Sequence, residues 1–132
     1  MTGIDDNERD RVKRVLDTLY AARVGGDLER LSGLFAERAQ FRISGSSDGK
    51  PIAISVDDRA QIRGWLAVLL KSFSLSGYKI LAQVIDGNCA AVHWRAEIHS
   101  RITGVGVTTE LVDVIEIRDT RIISYVEFFA PV

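Results

Sequence analysis

From residue 78 to residue 129 the chain consists of four long strand-forming segments that only short turns separate. The segments cover residues 78–85, 89–102, 107–118 and 121–129, and turn-forming residues such as Gly87, Gly104 and Asp119 lie between them. Consecutive strands joined by short turns pair with their neighbours, so this pattern predicts a four-stranded antiparallel meander. One face of such a sheet must be covered by the rest of the chain.

The residues before the meander begin with a helical period. Apolar residues recur at steps of three and four from Val12 to Tyr20, which predicts a first helix, and Gly25 with Gly26 ends it. Asp27 is placed to cap a short second helix. Residues 39–44 then alternate as a first strand, and residues 52–54 follow a turn as a brief strand or edge.

The strongest amphipathic pattern belongs to a third helix. Ser55 and Asp58 match a capping box that opens it. Its apolar residues at helical spacing are Ile62, Trp65, Leu66, Leu69, Leu70 and Phe73. Helices first and strands last predict an α+β fold: a strongly bent, mainly antiparallel sheet of about six strands with three helices on its concave side. Parallel strands or a flat open sheet would contradict this fold.

Composition limits the class of partner. The 132 residues suit one domain, and we expect residues 1–10 to be a flexible N-terminus and residues 11–132 to form that domain. The 17 basic and 18 acidic residues form no single-sign block, which predicts a small organic ligand rather than nucleic acid or an anionic membrane surface. No apolar run is long enough to cross a bilayer, and we expect a cytoplasmic protein. The single cysteine, Cys89, excludes an internal disulfide and predicts a buried thiol.

The order of elements and two local segments resemble the nuclear transport factor 2-like superfamily. The segments are GDLERLSGLFAERAQF at residues 26–41 and RDTRIISYVEFFA at residues 118–130. This superfamily includes ketosteroid isomerases, limonene epoxide hydrolases, scytalone dehydratases and SnoaL-like polyketide cyclases. The resemblance implies a cone with a ligand pocket and covers nearly the whole chain. It does not imply one reaction, because the same fold hosts many chemistries and also members with none.

Polar residues alternate along the strand at residues 89–102. His93, Arg95 and Glu97 share one face with His99, while Trp94 lies on the other. In one interpretation the polar face lines the pocket, where Arg95 holds Glu97 ionised. In the other it is a solvated face or a dimer surface. His93, His99 and Glu97 could meet at a metal, but we expect none, because a site that contains no other His or Cys needs better geometry than this strand provides.

The epoxide hydrolase relatives suggest one candidate set of catalytic groups. Their Arg, neighbouring acid and distal acid match Arg95, Glu97 and Glu127, but their first-strand Tyr and Asn match Phe41 and Ile43. We therefore do not expect an epoxide hydrolase. Glu127 remains the best single candidate, since many SnoaL-like members keep an acid at this position that contacts the ligand.

The ketosteroid isomerases suggest Asp113, which matches their protonated oxyanion-hole acid. Their base matches Ile43, and their donor tyrosine matches Leu19, with Tyr20 one place away, so we do not expect their mechanism. Asp113 among apolar neighbours needs a partner. It is either a pocket acid with a raised pKa or a structural acid bonded to a neighbour such as Arg95 or His93.

Together these observations predict a cofactor-free enzyme that acts by general acid/base chemistry on a small, largely apolar molecule. We expect Arg95, Glu97, Asp113 and Glu127 to converge as its catalytic network. The residues expected to line the ligand pocket are Tyr20, Phe41, Trp65, His93, Leu111, Tyr125 and Phe129. The alternative is a non-catalytic ligand-binding or dimerisation module. In either case we expect a homodimer that pairs through the convex sheet face, with Trp94 and Ile98 exposed on it.

Overall fold

The computed structural model describes residues 3–47 and 49–132. Within these residues, two helices precede two strands, and a third helix precedes four more strands, in agreement with the predicted α+β class. The elements are α1 (Gly3–Gly25), α2 (Leu28–Gly33), β1 (Phe35–Ser47), β2 (Lys50–Val56), α3 (Arg59–Ser72), β3 (Phe73–Asp86), β4 (Cys89–Ser100), β5 (Gly106–Arg118) and β6 (Arg121–Pro131). The N-terminus predicted to be flexible, residues 1–10, lies partly outside the described residues, and its residues 3–10 are helical.

The six strands form one curved sheet in the order β2-β1-β6-β5-β4-β3. The predicted meander is confirmed, since β3, β4, β5 and β6 pair antiparallel in sequence order. The pairing of β1 with β6 is parallel, so the exclusion of parallel strands is wrong for this one pair. Parallel pairing needs a long connection between the two strands, and here the whole chain from β2 to β5 provides it.

The helix caps are confirmed in part. Asp27 caps α2 by accepting a hydrogen bond from the backbone N–H of Arg30 at 3.1 Å. Asp58 is the N-cap of α3 and accepts from the N–H of Gln61 at 2.8 Å. Ser55 does not open that helix, because it lies in β2 opposite Arg42 of β1. The predicted capping box is therefore not formed, because Ser55 takes part in strand pairing instead.

One face of the sheet packs against the helices, and we call it the inner face; the opposite one is the outer face. On β4 the inner face carries Ala90, Val92, Trp94 and Ala96, all buried. Trp94 is therefore inside, and the prediction that it lies exposed on a convex dimer surface with Ile98 is wrong. Strict alternation identifies two faces but does not say which of them is buried.

The interior is filled by large apolar side chains. The largest of those that are fully buried include Trp94, Tyr20, Tyr125, Phe35 and Phe41. Cys89, in contrast, is exposed at the start of β4, which corrects the prediction of a buried thiol. No helix in residues 3–47 and 49–132 is both long and apolar enough to cross a membrane.

The turn between β5 and β6 contains two residues in the left-handed backbone region. Asp119 has a φ of 51° and Thr120 a φ of 64°. A two-residue hairpin turn favours this region, but a β-branched residue such as threonine adopts it only with strain. We expect Thr120→Gly to raise the free energy of unfolding by about 1 kcal/mol, measured by urea denaturation. Thr120→Ala, which keeps a Cβ, is the control and should gain less; a Gly variant no more stable than wild type would contradict this prediction.

Candidate active site

Two acidic side chains lie side by side in the interior. Asp113 of β5 and Glu127 of β6 are paired in register on the inner face and are 0% and 2% exposed. Burying a carboxyl group without hydrogen-bond or charged partners lowers the free energy of unfolding by several kcal/mol. The surrounding residues must therefore satisfy both groups.

Three donors surround one oxygen of Asp113. Its Oδ2 accepts a hydrogen bond from the Tyr20 hydroxyl at 2.6 Å and from the Trp94 indole Nε1 at 2.9 Å. The Tyr125 hydroxyl lies 3.1 Å from the same oxygen. Helix α1, strand β4 and strand β6 thus each contribute one group, so the position of Asp113 depends on the assembled tertiary structure.

Glu127 forms a two-pronged ion pair with Arg23 of α1. Arg23 Nη1 donates to Oε1 of Glu127, and Nη2 donates to Oε2 at 3.1 Å. Nη1 also donates to the Tyr125 hydroxyl at 2.7 Å, and that hydroxyl lies 2.9 Å from Glu127 Oε1. The guanidinium lies over the Trp94 ring, with Cζ 5.0 Å from the ring centroid. Charge-assisted, bidentate bonds of this kind are among the strongest that proteins make.

Local periodicity explains how the sequence aims these groups at one place. Tyr20 and Arg23 are three residues apart on α1 and so lie on one face of the helix. Tyr125 and Glu127 are two apart on β6 and share the inner face of the sheet. The cluster forms where this helix face crosses the inner sides of β4, β5 and β6.

The pKa values of the two acids move in opposite directions. Burial raises the pKa of Asp113 well above its usual range, and the negative charge of Glu127 raises it further. Burial also opposes ionisation of Glu127, but the charge and hydrogen bonds of Arg23 outweigh it, and the pKa of Glu127 is lowered. Asp113 is therefore the neutral acid of the pair and Glu127 the carboxylate.

The other groups of the cluster keep their usual charge states. Burial raises the pKa of Tyr20, as does the nearby Asp113. Burial raises the pKa of Tyr125 in the same way, so both hydroxyls remain protonated donors. Burial lowers the pKa of Arg23, but Glu127 reverses this effect and the net pKa is raised. With one cation and one anion, the cluster carries no net charge.

One oxygen of the cluster, Asp113 Oδ1, is buried and accepts no hydrogen bond from the described part of the chain. Because Oδ2 is already surrounded by donors, the proton of the neutral acid is best accommodated on Oδ1. Asp113 and Glu127 also share a side-chain hydrogen bond, in which the neutral acid is the donor and the ionised carboxylate the acceptor.

The predicted catalytic residues separate into two groups. Asp113 and Glu127 do converge, but Arg95 and Glu97 lie exposed on the outer face of β4. Arg95 Nη2 contacts Glu110 Oε1 at 3.1 Å, and His99 Nε2 lies 3.4 Å from Glu97 Oε1. The predicted convergence of all four residues is therefore wrong, because Trp94 takes the inner face and turns its neighbours outward.

The residues predicted to line a pocket are likewise divided. Tyr20, Phe41, Leu111 and Tyr125 are buried in the interior, and Phe129 is partly buried beside them. His93 instead lies on the outer face, 3.3 Å from Glu110 Oε1, so it cannot line the interior. Trp65 is 40% exposed on α3. Neither Arg95 nor His93 is the partner of Asp113.

Two members of the cluster were missed by sequence reasoning. Arg23 takes the place that we predicted for Arg95, and its signal is its spacing of three residues from Tyr20 on one helix face. Trp94 was assigned to the wrong face. Tyr20, one place from the position that matches the isomerase tyrosine, nevertheless reaches Asp113.

Two surface clefts lie away from this cluster. One of about 490 Å³ is lined by Glu8, Arg11, Asn88 and Arg118, among others. The other, of about 460 Å³, lies between β1, β2 and the start of α3 and includes Arg42 and Asp57. Neither contains the acid pair, which protein atoms enclose. Within residues 3–47 and 49–132, no group of three His, Cys, Asp or Glu side chains is arranged to hold a metal ion.

The ion pair with Glu127 makes Arg23 important for stability. Its side chain is only 15% exposed, so Arg23→Met should leave Glu127 inside the protein without its counter-charge, whether Glu127 stays ionised or takes up a proton. We expect a loss of about 3 kcal/mol in the free energy of unfolding at neutral pH, measured by urea denaturation. Arg95→Met is the matched control, and its exposed ion pair should cost less than about 1 kcal/mol. Equal losses in the two variants would contradict the assignment.

Comparison with known structures and families places this site in context. An NTF2-like protein from Burkholderia xenovorans has a TM-score of 0.74 and 18% identity, over 91% of this chain and 89% of that chain. An M. tuberculosis LEH-like epoxide hydrolase has a TM-score of 0.72 and 13% identity, over 91% and 83%.

A hypothetical protein with a ketosteroid isomerase-like fold from Catenulispora acidiphila, in complex with trimethylamine, has a TM-score of 0.72 and 17% identity, over 88% and 85%. At such identities the likeness shows the fold alone. No curated protein matches the sequence. The family model described as a SnoaL-like domain matches residues 16–125, and the chain therefore belongs to the SnoaL-like domain family.

Proposed function

We propose that this protein is a cofactor-independent enzyme in which Asp113 is the acid and Glu127 the carboxylate base. The observation that carries the proposal is the opposite direction of their pKa shifts at two adjacent buried positions. Pairs of carboxyl groups whose environments separate their pKa values are the usual basis of acid/base assignments. The structural likeness to proteins of several reaction types supports general acid/base chemistry but does not favour one reaction over another.

Each carboxyl group has the contacts that its proposed role needs. Asp113 would donate from Oδ1 to an oxygen of the ligand, and the donors around Oδ2 would stabilise the anion that forms. Glu127 accepts two bonds from Arg23 but keeps further lone pairs on its oxygens for a proton of the ligand. The Tyr125 hydroxyl contacts both acids, so it offers a route that returns the proton from Glu127 to Asp113 after turnover.

The surroundings of the pair favour a neutral ligand with an apolar body. The cluster has no net charge, and the interior side chains around it are aliphatic or aromatic, including Phe41, Leu111 and Phe129. An ion entering here would be desolvated without compensation. We therefore propose a small molecule with one oxygen acceptor, which undergoes isomerisation, dehydration, cyclisation or addition of water.

The proposal is tested by incubating the protein with a panel of neutral epoxides, enones and hydroxy ketones and following products by chromatography with mass detection. Glu127→Gln and Asp113→Asn should each abolish turnover, because they preserve shape and remove the charge or the proton. Arg95→Met, on the outer face, should keep wild-type activity. Full activity in both acid variants would refute the proposal.

Activity should also depend on pH in a defined direction. The active state has Glu127 ionised and Asp113 protonated. Because the pKa of Glu127 is lowered and that of Asp113 is raised, kcat/KM should rise at acidic pH as Glu127 loses its proton. It should fall at alkaline pH as Asp113 loses its own, which gives a bell-shaped profile with a broad plateau.

A second candidate function is a non-catalytic ligand-binding module. The observation in its favour is the enclosure of the cluster, in which most polar atoms already satisfy one another. Under this alternative, members of the same panel would raise the melting temperature without being converted.

We also propose that the protein is a homodimer through the outer face. Val112, Val114 and Phe128 are exposed there on the central strands β5 and β6, and Val112 pairs with Phe128 in register. Arg95 and Glu110 lie beside this apolar patch and offer opposite charges to a copy related by a two-fold axis.

Val114→Lys should convert the dimer to a monomer in sedimentation at micromolar concentration, because a charge would be buried at the centre of the patch. Val105→Lys is the control, since Val105 is exposed in the turn before β5 and outside the patch. A wild-type protein that is monomeric under the same conditions would contradict the dimer.

A cytoplasmic location is a further part of the proposal. The exposed free thiol of Cys89 supports it, because an unpaired accessible cysteine is most compatible with a reducing compartment.

A further inference from the structure

Strand β3 has an irregular stretch next to the acid pair. Ser76 pairs with Glu97 and Lys79 with Arg95, so Gly77 and Tyr78 together stand opposite the single residue Ala96. Gly77 has a φ of 58°, the left-handed conformation that such bulges require. A second irregularity follows at Leu81, between the pairs made by Ile80 and Ala82.

This stretch is sparsely paired with the rest of the sheet. Between the two irregularities only Lys79 and Ile80 are paired with β4. Strand β3 is also an edge strand, with β4 as its one neighbour in the sheet order. Few ladder bonds and a free edge lower the cost of local opening.

The bulge aims Tyr78 at the cluster. The Tyr78 ring lies edge-to-face on Trp94, with centroids 6.4 Å apart, and Tyr78 is 40% exposed while Trp94 is 0% exposed. Trp94 in turn donates to Asp113 at 2.9 Å. Two contacts therefore lead from solvent to the buried acid.

Tyr78 is also the most exposed of three side chains that cover Trp94, the others being Arg23 and Tyr20, and Tyr20 is held by its hydrogen bond to Asp113. Arg23 lies over the Trp94 ring but is held by Glu127 and Tyr125. The Tyr78 ring contact is one uncharged aromatic pair, so it holds Tyr78 less firmly than the bidentate ion pair holds Arg23. Rotation of Tyr78 outward would therefore expose Trp94, which contacts the acid.

We infer that Tyr78 is a specificity-determining residue: it closes a port between the bulged part of β3 and α1, through which the ligand reaches Asp113. This inference rests on the proposed function, since it assigns the entrance to that site. Tyr78, Trp94 and Arg23 present flat groups around the port. They select small, flat, neutral molecules over bulkier ones.

The port is tested by fluorescence quenching of Trp94 with neutral quenchers of two sizes, acrylamide and the bulkier succinimide. The chain has two tryptophans, so Trp65→Phe leaves Trp94 as the single reporter. In this background acrylamide should quench Trp94 weakly and succinimide hardly at all. Tyr78→Ala should raise both quenching constants severalfold and remove the difference between them.

Two controls separate the port from a general loosening of the strand. Tyr78→Phe keeps the ring and should match its parent. Phe73→Ala removes an aromatic residue of the same strand that is equally exposed, at 41%, and should also match the parent. Tyr78→Val, a residue that strands favour, replaces Tyr78→Ala if circular dichroism shows that the alanine variant is unfolded.

Unchanged quenching in the small Tyr78 variants, or an equal increase in Phe73→Ala, would overturn the inference. Because quenching needs no turnover, its outcome is independent of the activity assay. Absence of turnover with an open port in Tyr78→Ala would refute the enzyme but not the entrance. Turnover with unchanged quenching would refute only the entrance.

Discussion

The ion pair between Arg23 and Glu127 is the interaction on which the rest of the interior depends. Without the guanidinium, two adjacent carboxyl groups would share a dry environment with no counter-charge, and burial would drive both toward the neutral form. With it, one carboxyl group stays ionised and the other becomes the acid. A single helical side chain thus gives two chemically similar residues different protonation states.

The sheet and the first helix each provide part of this cluster. The strands β5 and β6 fix the separation of the two acids by their register, and α1 carries the cation and one donor across them. Trp94 joins both halves, because its indole N–H bonds Asp113 and its ring supports Arg23. Moving the helix relative to the sheet would therefore change the electrostatics of both acids together.

The sequence predicts the architecture better than the site. Turn residues between alternating segments located β3 to β6 closely, since their geometry is encoded locally. The alternation along β4 separates its residues into two faces, but it does not show which face the helices cover. From the sequence, Arg95 is therefore as suitable for the interior as Trp94. Asp113 was found because an acid among apolar neighbours is conspicuous, and Glu127 because the family resemblance marks its position. Arg23 was not, because its spacing from Tyr20 shows only that the two residues share a helix face and does not show that this face meets a distant strand.

The parallel pairing of β1 with β6 has a consequence for how the protein is made. The strand that carries Glu127 and Tyr125 is central in the sheet but follows all the others along the chain. During synthesis β1 emerges early and must wait for this partner, with an unpaired edge and an incomplete apolar face. Contacts so distant along the chain form slowly, and closure of the sheet coincides with neutralisation of Arg23 by its carboxylate. Nascent chains therefore lack both the partner strand of β1 and the counter-charge of Arg23 until β6 has been made.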